Sequence, residues 1–198
     1  MICKTKRLYL RELEQDDFRD LAEILQDPEV VYAYEHHFSD NDVQEWLDRQ
    51  FMRYAKYGYG LWAIVLQTTG EMIGQAGLTM QPYQNQDILE VGYLLKKRFW
   101  HNGYALEAVH ECIQYAFHTL NQNKVYAIIK ADNEPSIQVA KRLGMKKEDE
   151  FITQYYHGDM LHYLFRVKIK LRRKGYHEND WFNWRYELGK YSFILSNY

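Results

Sequence analysis

Apolar residues recur along this chain at two different periods, and the switches between them mark out the elements. "LYLREL" (8–13) alternates as a strand does. "DDFRDLAEIL" sets Phe18, Leu21, Ala22 and Leu25 at helical spacing, with acids in its first turn, and Asp27-Pro28 ends it. Ser39 is placed as an N-cap, with Asp42 three residues on in the capping-box position. Val43, Trp46, Leu47, Gln50, Phe51 and Tyr54 form the stripe of that second helix, and Gly58 and Gly60 close it. Strands follow as a meander: "LWAIVLQT", "MIGQAGLTM" after a Thr69-Gly70 turn, and "ILEVGYLL". A third helix runs from Gly103 to about Leu120, then comes the buried strand "VYAIIK". "NEPSIQVAKRLGM" is a short helix capped by Asn133 or Asp132, with Pro135 in its first turn and Gly144 at C′. "FITQYY" and "LHYLFRV" form a hairpin about His157-Gly158-Asp159. The order β-α-α-β-β-β-α-β-α-β-β predicts a mixed α/β (α+β) domain around one sheet.

At 198 residues the chain has room for one domain with an appendage. The net charge of -2 lacks the basic footprint of a nucleic-acid binder, so no nucleic-acid partner is expected. The short basic runs, Lys96-Lys97-Arg98 and Arg172-Arg173-Lys174, read as solvated faces. Cys3 and Cys112 have neither disulfide nor metal-ligand spacing. The N-terminus enters strand residues directly, without a signal-peptide pattern, and no apolar run reaches the ~18 residues of a membrane span. A reducing, cytoplasmic setting without membrane contact is therefore expected.

The stretch "FWHNGYALEA" (99–108) carries the first chemical signal. It lies where a strand hands over to a helix, whose first N–H groups lack partners and sit at the positive end of the dipole. Gly103 lets a ligand approach the backbone, Ala105 keeps the first turn uncrowded, and Lys97 or Arg98 could add charge. These features suit a phosphate. Asn133 and Ser136 open the next helix at the same end of the sheet. A splay between the Tyr93 strand and the strand ending at Lys130 would admit a long ligand with a pyrophosphate.

Four motifs in order resemble the GNAT superfamily of acetyl-CoA-dependent N-acetyltransferases, in the branch that includes ribosomal-protein N-terminal (alanine) acetyltransferases. They are "TKRLYLR" (5–11), "EVGYLL" (90–95), "WHNGYALEA" (100–108) and "NEPSIQVAKRLGM" (133–145), and the likeness spans residues 5–168. It implies the GNAT acyl-CoA N-acyltransferase fold: a mostly antiparallel mixed sheet of about seven strands, splayed at its centre, with about four helices. It implies acetyl-CoA as cosubstrate and no metal. Backbone N–H groups of Arg98, Trp100, His101, Asn102, Gly103, Tyr104 and Ala105 would hold the pyrophosphate. Leu94 and Leu95 would pair with pantetheine as an extra strand, and the Tyr93 N–H would meet the thioester carbonyl. Asn133 and Ser136 would touch the cofactor arm. The branch accepts Trp100 where the wider superfamily has Gln or Arg. Ala140 stands where many members carry a Tyr acid, which leaves Ser136, water or solvent as the proton source.

Transfer to an amine needs the neutral amine, and hence a base. Glu90 is the first candidate, on the strand of Tyr93. Strand parity puts the two on opposite faces unless Gly92 forms a bulge. His36 and His37, in the loop where the family forms its acceptor cleft, are alternatives, and Glu35 could hold the amine's charge. Cys112 faces the core, a poor setting for a nucleophile, so the expected reaction is direct attack in a ternary complex. A non-catalytic GNAT-fold module that binds acetyl-CoA or a protein is the competing reading. The domain is expected to end at Lys168, leaving residues 169–198 as an aromatic-rich extension. Trp181, Trp184 and Leu188 share a helical face there, and a homodimer using that segment is expected.

Overall fold

Eight strands form one mixed sheet, with four helices laid on its two faces, in a computed structural model that describes residues 1–155 and 158–169. The strands are β1 (Cys3–Lys4), β2 (Leu8–Arg11), β3 (Leu61–Leu66), β4 (Met72–Tyr83), β5 (Gln86–Leu95), β6 (Lys124–Lys130), β7 (Lys146–Tyr155) and β8 (Gly158–Lys168). Their order across the sheet is β1-β2-β3-β4-β5-β6-β8-β7, and every pairing is antiparallel except β5 with β6. The helices are α1 (Phe18–Leu25), α2 (Asp40–Tyr57), α3 (Tyr104–His118) and α4 (Glu134–Arg142). The expected extension over residues 169–198 lies, apart from Ile169, outside the described residues, as does the basic run at 172–174.

Strand parity divides the core in two. Trp62, Ile64, Ala76, Leu78, Leu89 and Val91 face α3 and α4 and pack on Ala108, Val109, Cys112, Ile137 and Ala140. The opposite face of β3 buries Leu61, Ala63 and Val65 under α1 and α2, against Leu21, Leu25, Val43 and Leu47. One sheet thus carries a helical layer on each side.

The helix ends follow the sequence signals. Ser39 and Asp42 cap each other reciprocally at the start of α2, and Gly58 at φ 74° closes it. Asn133 caps α4, its side chain accepting the Ser136 N–H at 3.1 Å, and Gly144 at φ 73° follows its last turn.

Two strands go beyond the hydrophobic pattern. β1 is a two-residue addition to the edge. The first half of β7 is "KKEDE", which has no apolar alternation; among the described residues it lies on the other edge of the sheet, where charges discourage pairing with a further chain.

The basic run read as a solvated face proves to be a clamp. Lys96 is 3% exposed and bonds Asp20 and Glu23 of α1. Lys97 pairs with Glu29, and Arg98 with Glu23 and Glu71. Lys96 and Arg98 tie the end of β5 to α1, and Lys97 ties it to the segment that follows that helix. The charge that Lys97 or Arg98 could have added to a phosphate site is already answered by carboxylates.

Candidate active site

The single parallel pairing of the sheet is also its weakest seam. β5 and β6 share one register pair, Glu90 with Tyr126. A continued parallel ladder would give the Ile128 N–H to the Val91 carbonyl and the Tyr93 N–H to the Ile128 carbonyl. Instead the Ile128 N–H donates to Glu90 Oε1 at 3.2 Å. A carboxylate thus caps the first donor released by the parting strands, and the expected splay opens beyond it.

Backbone alternation shows which groups face that gap. The Lys96 N–H donates to the Ile73 carbonyl, which sets the phase of the β4–β5 ladder. Glu90, Gly92 and Leu94 therefore direct their backbone groups to β4, and Val91, Tyr93 and Leu95 direct theirs toward β6. The Tyr93 N–H is therefore directed toward the gap between β5 and β6. Of the two leucines expected to pair with a bound arm, Leu95 faces the gap, whereas Leu94 pairs with Gln75. The Leu95 carbonyl accepts Trp100 Nε1 at 2.9 Å, so Trp100 pins the following loop to the strand end.

That loop is built to present N–H groups. After a 3-10 turn at Lys97–Phe99, His101 takes φ 61° and Gly103 takes φ 74° at the N-cap of α3. These two left-handed residues, His101 and Gly103, turn the backbone sharply just ahead of the unpaired N–H groups of α3, a nest-like turn suited to an anion. Asn102 Nδ2 braces it by donating to the Trp100 carbonyl at 2.8 Å. The nest is also anchored from the far end of the chain. Arg7 Nη1 donates to the Asn102 carbonyl at 2.9 Å, Arg7 Nε bonds Glu107 Oε2 at 2.7 Å, and the guanidinium lies 4.4 Å from the Tyr104 ring centroid. Thr5 Oγ1 also donates to Glu107. The first and third motifs are thus one structural unit.

The second lip is the start of α4. Tyr93 Oη and Ser136 Oγ lie 3.1 Å apart, joining β5 to α4 on the side of the sheet that carries α3. The Glu90 side chain lies on the opposite side, toward α2. Desolvation pushes its carboxyl up from 4.5 to about 7, and the bonds from Ile128 and from Thr79 Oγ1 offset this only in part. The β4–β5 register is unbroken through Gly92, so no bulge brings Glu90 and Tyr93 to one face. The side chain missing from Gly92 leaves open space: a Cβ there would meet nothing closer than Leu61 Cδ2 at 4.0 Å.

The chain matches the acetyltransferase (GNAT) domain family over residues 7–146. It belongs to the GNAT family. The uncharacterized protein YkkB of Bacillus subtilis is 36% identical over 142 residues, covering 71% of this chain and 83% of that protein. The uncharacterized N-acetyltransferase p20 of Bacillus licheniformis is 33% identical over 156 residues, 73% and 82% of the two chains. Among solved structures, an acetyltransferase from Agrobacterium tumefaciens superposes with TM-score 0.70 at 27% identity, covering 83% and 92%. At 16% identity, the spermidine N-acetyltransferase from Vibrio cholerae in complex with CoA and spermine shares the fold, with TM-score 0.69 over 83% and 96%.

Within a GNAT frame the remaining residues take their places. Ala140 is buried in the core beside Ile137 and carries no polar atom toward the gap. Cys112 is fully buried, and desolvation raises its thiol well above the ordinary value, while Cys3 rises to about 11. His36 packs edge-on against Phe38 at 4.8 Å and sits 3.6 Å from Asp42, part of the entry to α2. His37 is exposed. Glu35 bonds Lys130 Nζ at 2.9 Å, and Lys130 also bonds Asp132, which fastens the α1–α2 loop over the end of β6. Among the described residues no cluster of His, Cys, Asp and Glu could hold a metal ion, and no helix is long and apolar enough to cross a membrane.

Sequence reading missed Arg7, Glu107 and Arg53. The first two are legible only as motif letters, since their partners lie about one hundred residues apart. Arg53 stands on α2, where its charge acts on Glu90, and it resembles any polar-face arginine in the sequence.

Proposed function

We propose that the protein transfers an acetyl group from acetyl-CoA to a primary amine, on a protein N-terminus or a small molecule, by direct attack in a ternary complex. The carrying observation is the splay, with the Tyr93 N–H in its plane and the raised Glu90 carboxyl at its apex. Acetyl-CoA would enter from the α3 and α4 side, its pyrophosphate on the nest from Arg98 through Ala105 and its pantetheine against Tyr93 and Leu95. Asn133 and Ser136 line the other lip. The amine arrives from the α2 side, so the opposite parity of Glu90 and Tyr93 places base and acyl donor on the two sides of one gap.

Glu90, ionised, accepts a proton from the incoming ammonium. The amine nitrogen bonds the thioester carbon, and the Tyr93 N–H stabilises the oxyanion. The C–S bond then breaks, and the thiolate takes a proton from the amide-forming nitrogen through solvent or through the Ser136 and Tyr93 hydroxyls. The raised thiols of Cys112 and Cys3 support a route without an acyl-cysteine. The ribosomal-protein branch has fold-level support from the RimL ribosomal L7/L12 alpha-N-protein acetyltransferase, 16% identical with TM-score 0.71, covering 85% and 93%.

Thermal unfolding with acetyl-CoA, combined with detection of free thiol on adding amines, tests this reading. At a hundredfold excess over Kd, stabilisation of about 2.7 kcal/mol is expected, a rise of several degrees. Gly103→Val should weaken that binding about tenfold or more. A β-branched residue at φ 74° costs about 1–2 kcal/mol, and the nest would reshape to relieve it, although the nearest atom to a new Cβ, Arg7 Nη2, is 3.6 Å away. Unchanged affinity in the variant would place the phosphates elsewhere.

A further inference from the structure

The α2 side of the splay carries two arginines without a direct ion pair among the described residues, one of which, Arg53, feels the Glu90 carboxylate through space. Arg49 and Arg53 stand four residues apart on α2, one above the other. Among the described residues neither makes an ion pair; Arg19 and Arg142 make none either, but both are exposed, while Arg7, Arg11, Arg98 and Arg166 each hold a carboxylate. Arg53 is partly buried and held in place: its Nη1 donates at 3.1 Å to Gln50 Oε1, which also accepts the Leu61 N–H at 3.1 Å. Gln50 is itself fully buried and donates to the Trp46 carbonyl. Arg49 lies 5.5 Å over the Trp46 ring, and that indole donates to Gln75 Oε1.

Burial and the nearby Arg49 both work against the Arg53 charge, and Glu90 works in its favour. Two guanidiniums close enough to repel, one of them partly desolvated, define a place where an anion is favoured. Glu90, which acts on Arg53, shares its face of β5 with Gly92 two residues on, where the missing side chain leaves open space. Base, void and cations therefore lie along one side of the gap. A polyamine would bring only positive charge to this side.

We propose that Arg53, with Arg49, binds a carboxylate of the acceptor, so that the substrate class is amines bearing a nearby carboxylate, such as amino acids. This rests on the acetyl-transfer reading above. A planar guanidinium grips a carboxylate with two parallel hydrogen bonds, which also fixes where the amine sits relative to Glu90.

The test uses matched amines that differ only in the carboxylate: leucine and isopentylamine, ornithine and putrescine, lysine and cadaverine. Phosphoethanolamine and ethanolamine form a separate arm for phosphate. Free thiol is followed with acetyl-CoA and the full chain. The carboxylate member of each pair should show kcat/KM higher by about tenfold or more, as for a hydrogen-bonded charged group. In Arg53→Gln that ratio should fall toward one through the KM of the acid-bearing amine. Arg53→Lys should recover part of it, and Arg49→Gln should lower it less. Stabilisation of each variant by acetyl-CoA shows that it has folded. Equal or better turnover of the decarboxylated amines, a ratio that survives in Arg53→Gln, a preference for phosphate alone, or no turnover of any acid-bearing amine would each overturn the proposal. Absence of acetyl-CoA stabilisation in the unmodified chain is a different result; it removes the acetyl-transfer reading, and this inference with it.

Discussion

Replacing Glu90 by Gln should lower acetyl transfer about 10²-fold just above neutral pH, the scale of a lost general base, while acetyl-CoA affinity stays within about twofold. The sign of the pH dependence follows from the raised carboxyl. Below about 7 Glu90 holds its proton and cannot accept another, so the rate in the unmodified protein rises through that pH. The variant lacks this limb, and the two converge in acid. The gap narrows again at high pH, where a free amine loses its own proton. The same group acts on stability. Its folded-state value lies above the ordinary 4.5, so its contribution to stability is fully present below 4.5 and is lost as pH rises through about 7. Glu90→Gln should therefore gain thermal stability relative to the parent above pH 7 and gain none below pH 4.5. An unchanged pH–rate profile would move the base to a water or to His36 and His37.

A matched pair of alanine substitutions should separate fold from function. Gly77 and Gly92 are register partners in the centre of β4 and β5. A Cβ at Gly77 would lie 2.0 Å from the Gly60 carbonyl oxygen and 2.7 Å from Leu61 Cα, both backbone. The β3–β4 pairing has to part to admit it, so Gly77→Ala should cost about 3 kcal/mol or more, at the upper end of overpacking effects, and should lower soluble yield. Gly92→Ala meets only Leu61 Cδ2 at 4.0 Å, and its melting temperature should be unchanged or slightly raised. Its methyl group would enter the space beside Glu90 and raise the KM for the amine several-fold, with acetyl-CoA binding intact. A Gly92→Ala enzyme with normal amine kinetics would show that the acceptor does not use this floor.

Local rules made much of this molecule readable. Ser39 with Asp42, Asn133 with its proline, and Gly58, Gly103 and Gly144 act within four residues of themselves, and each appears where its chemistry points. The handover at "FWHNGYALEA" was legible for the same reason, because a helix start announces its unpaired N–H groups locally. What stayed hidden was set by pairing across the chain. Lys96 reads as a surface lysine until α1 supplies Asp20 and Glu23. The strand "KKEDE" has no apolar period because an edge strand needs none. Whether Leu94 or Leu95 could face a bound arm depended on the phase of the β4–β5 ladder, which one bond, Lys96 N–H to Ile73, determines. A glycine in a strand, such as Gly92, allows a bulge or a close approach alike, and only the register and the empty space beside it select one.

Whether the splay is the place where acetyl-CoA meets an amine is tested most directly by one titration. Free CoA thiol is measured against pH with saturating acetyl-CoA, with and without a panel of amines, for the full chain and for Glu90→Gln. The account predicts amine-dependent thiol release that rises through about pH 7 and loses that rise in the variant. Thiol release that is absent, or that is the same with and without every amine while acetyl-CoA leaves the melting temperature unmoved at millimolar concentration, would contradict it.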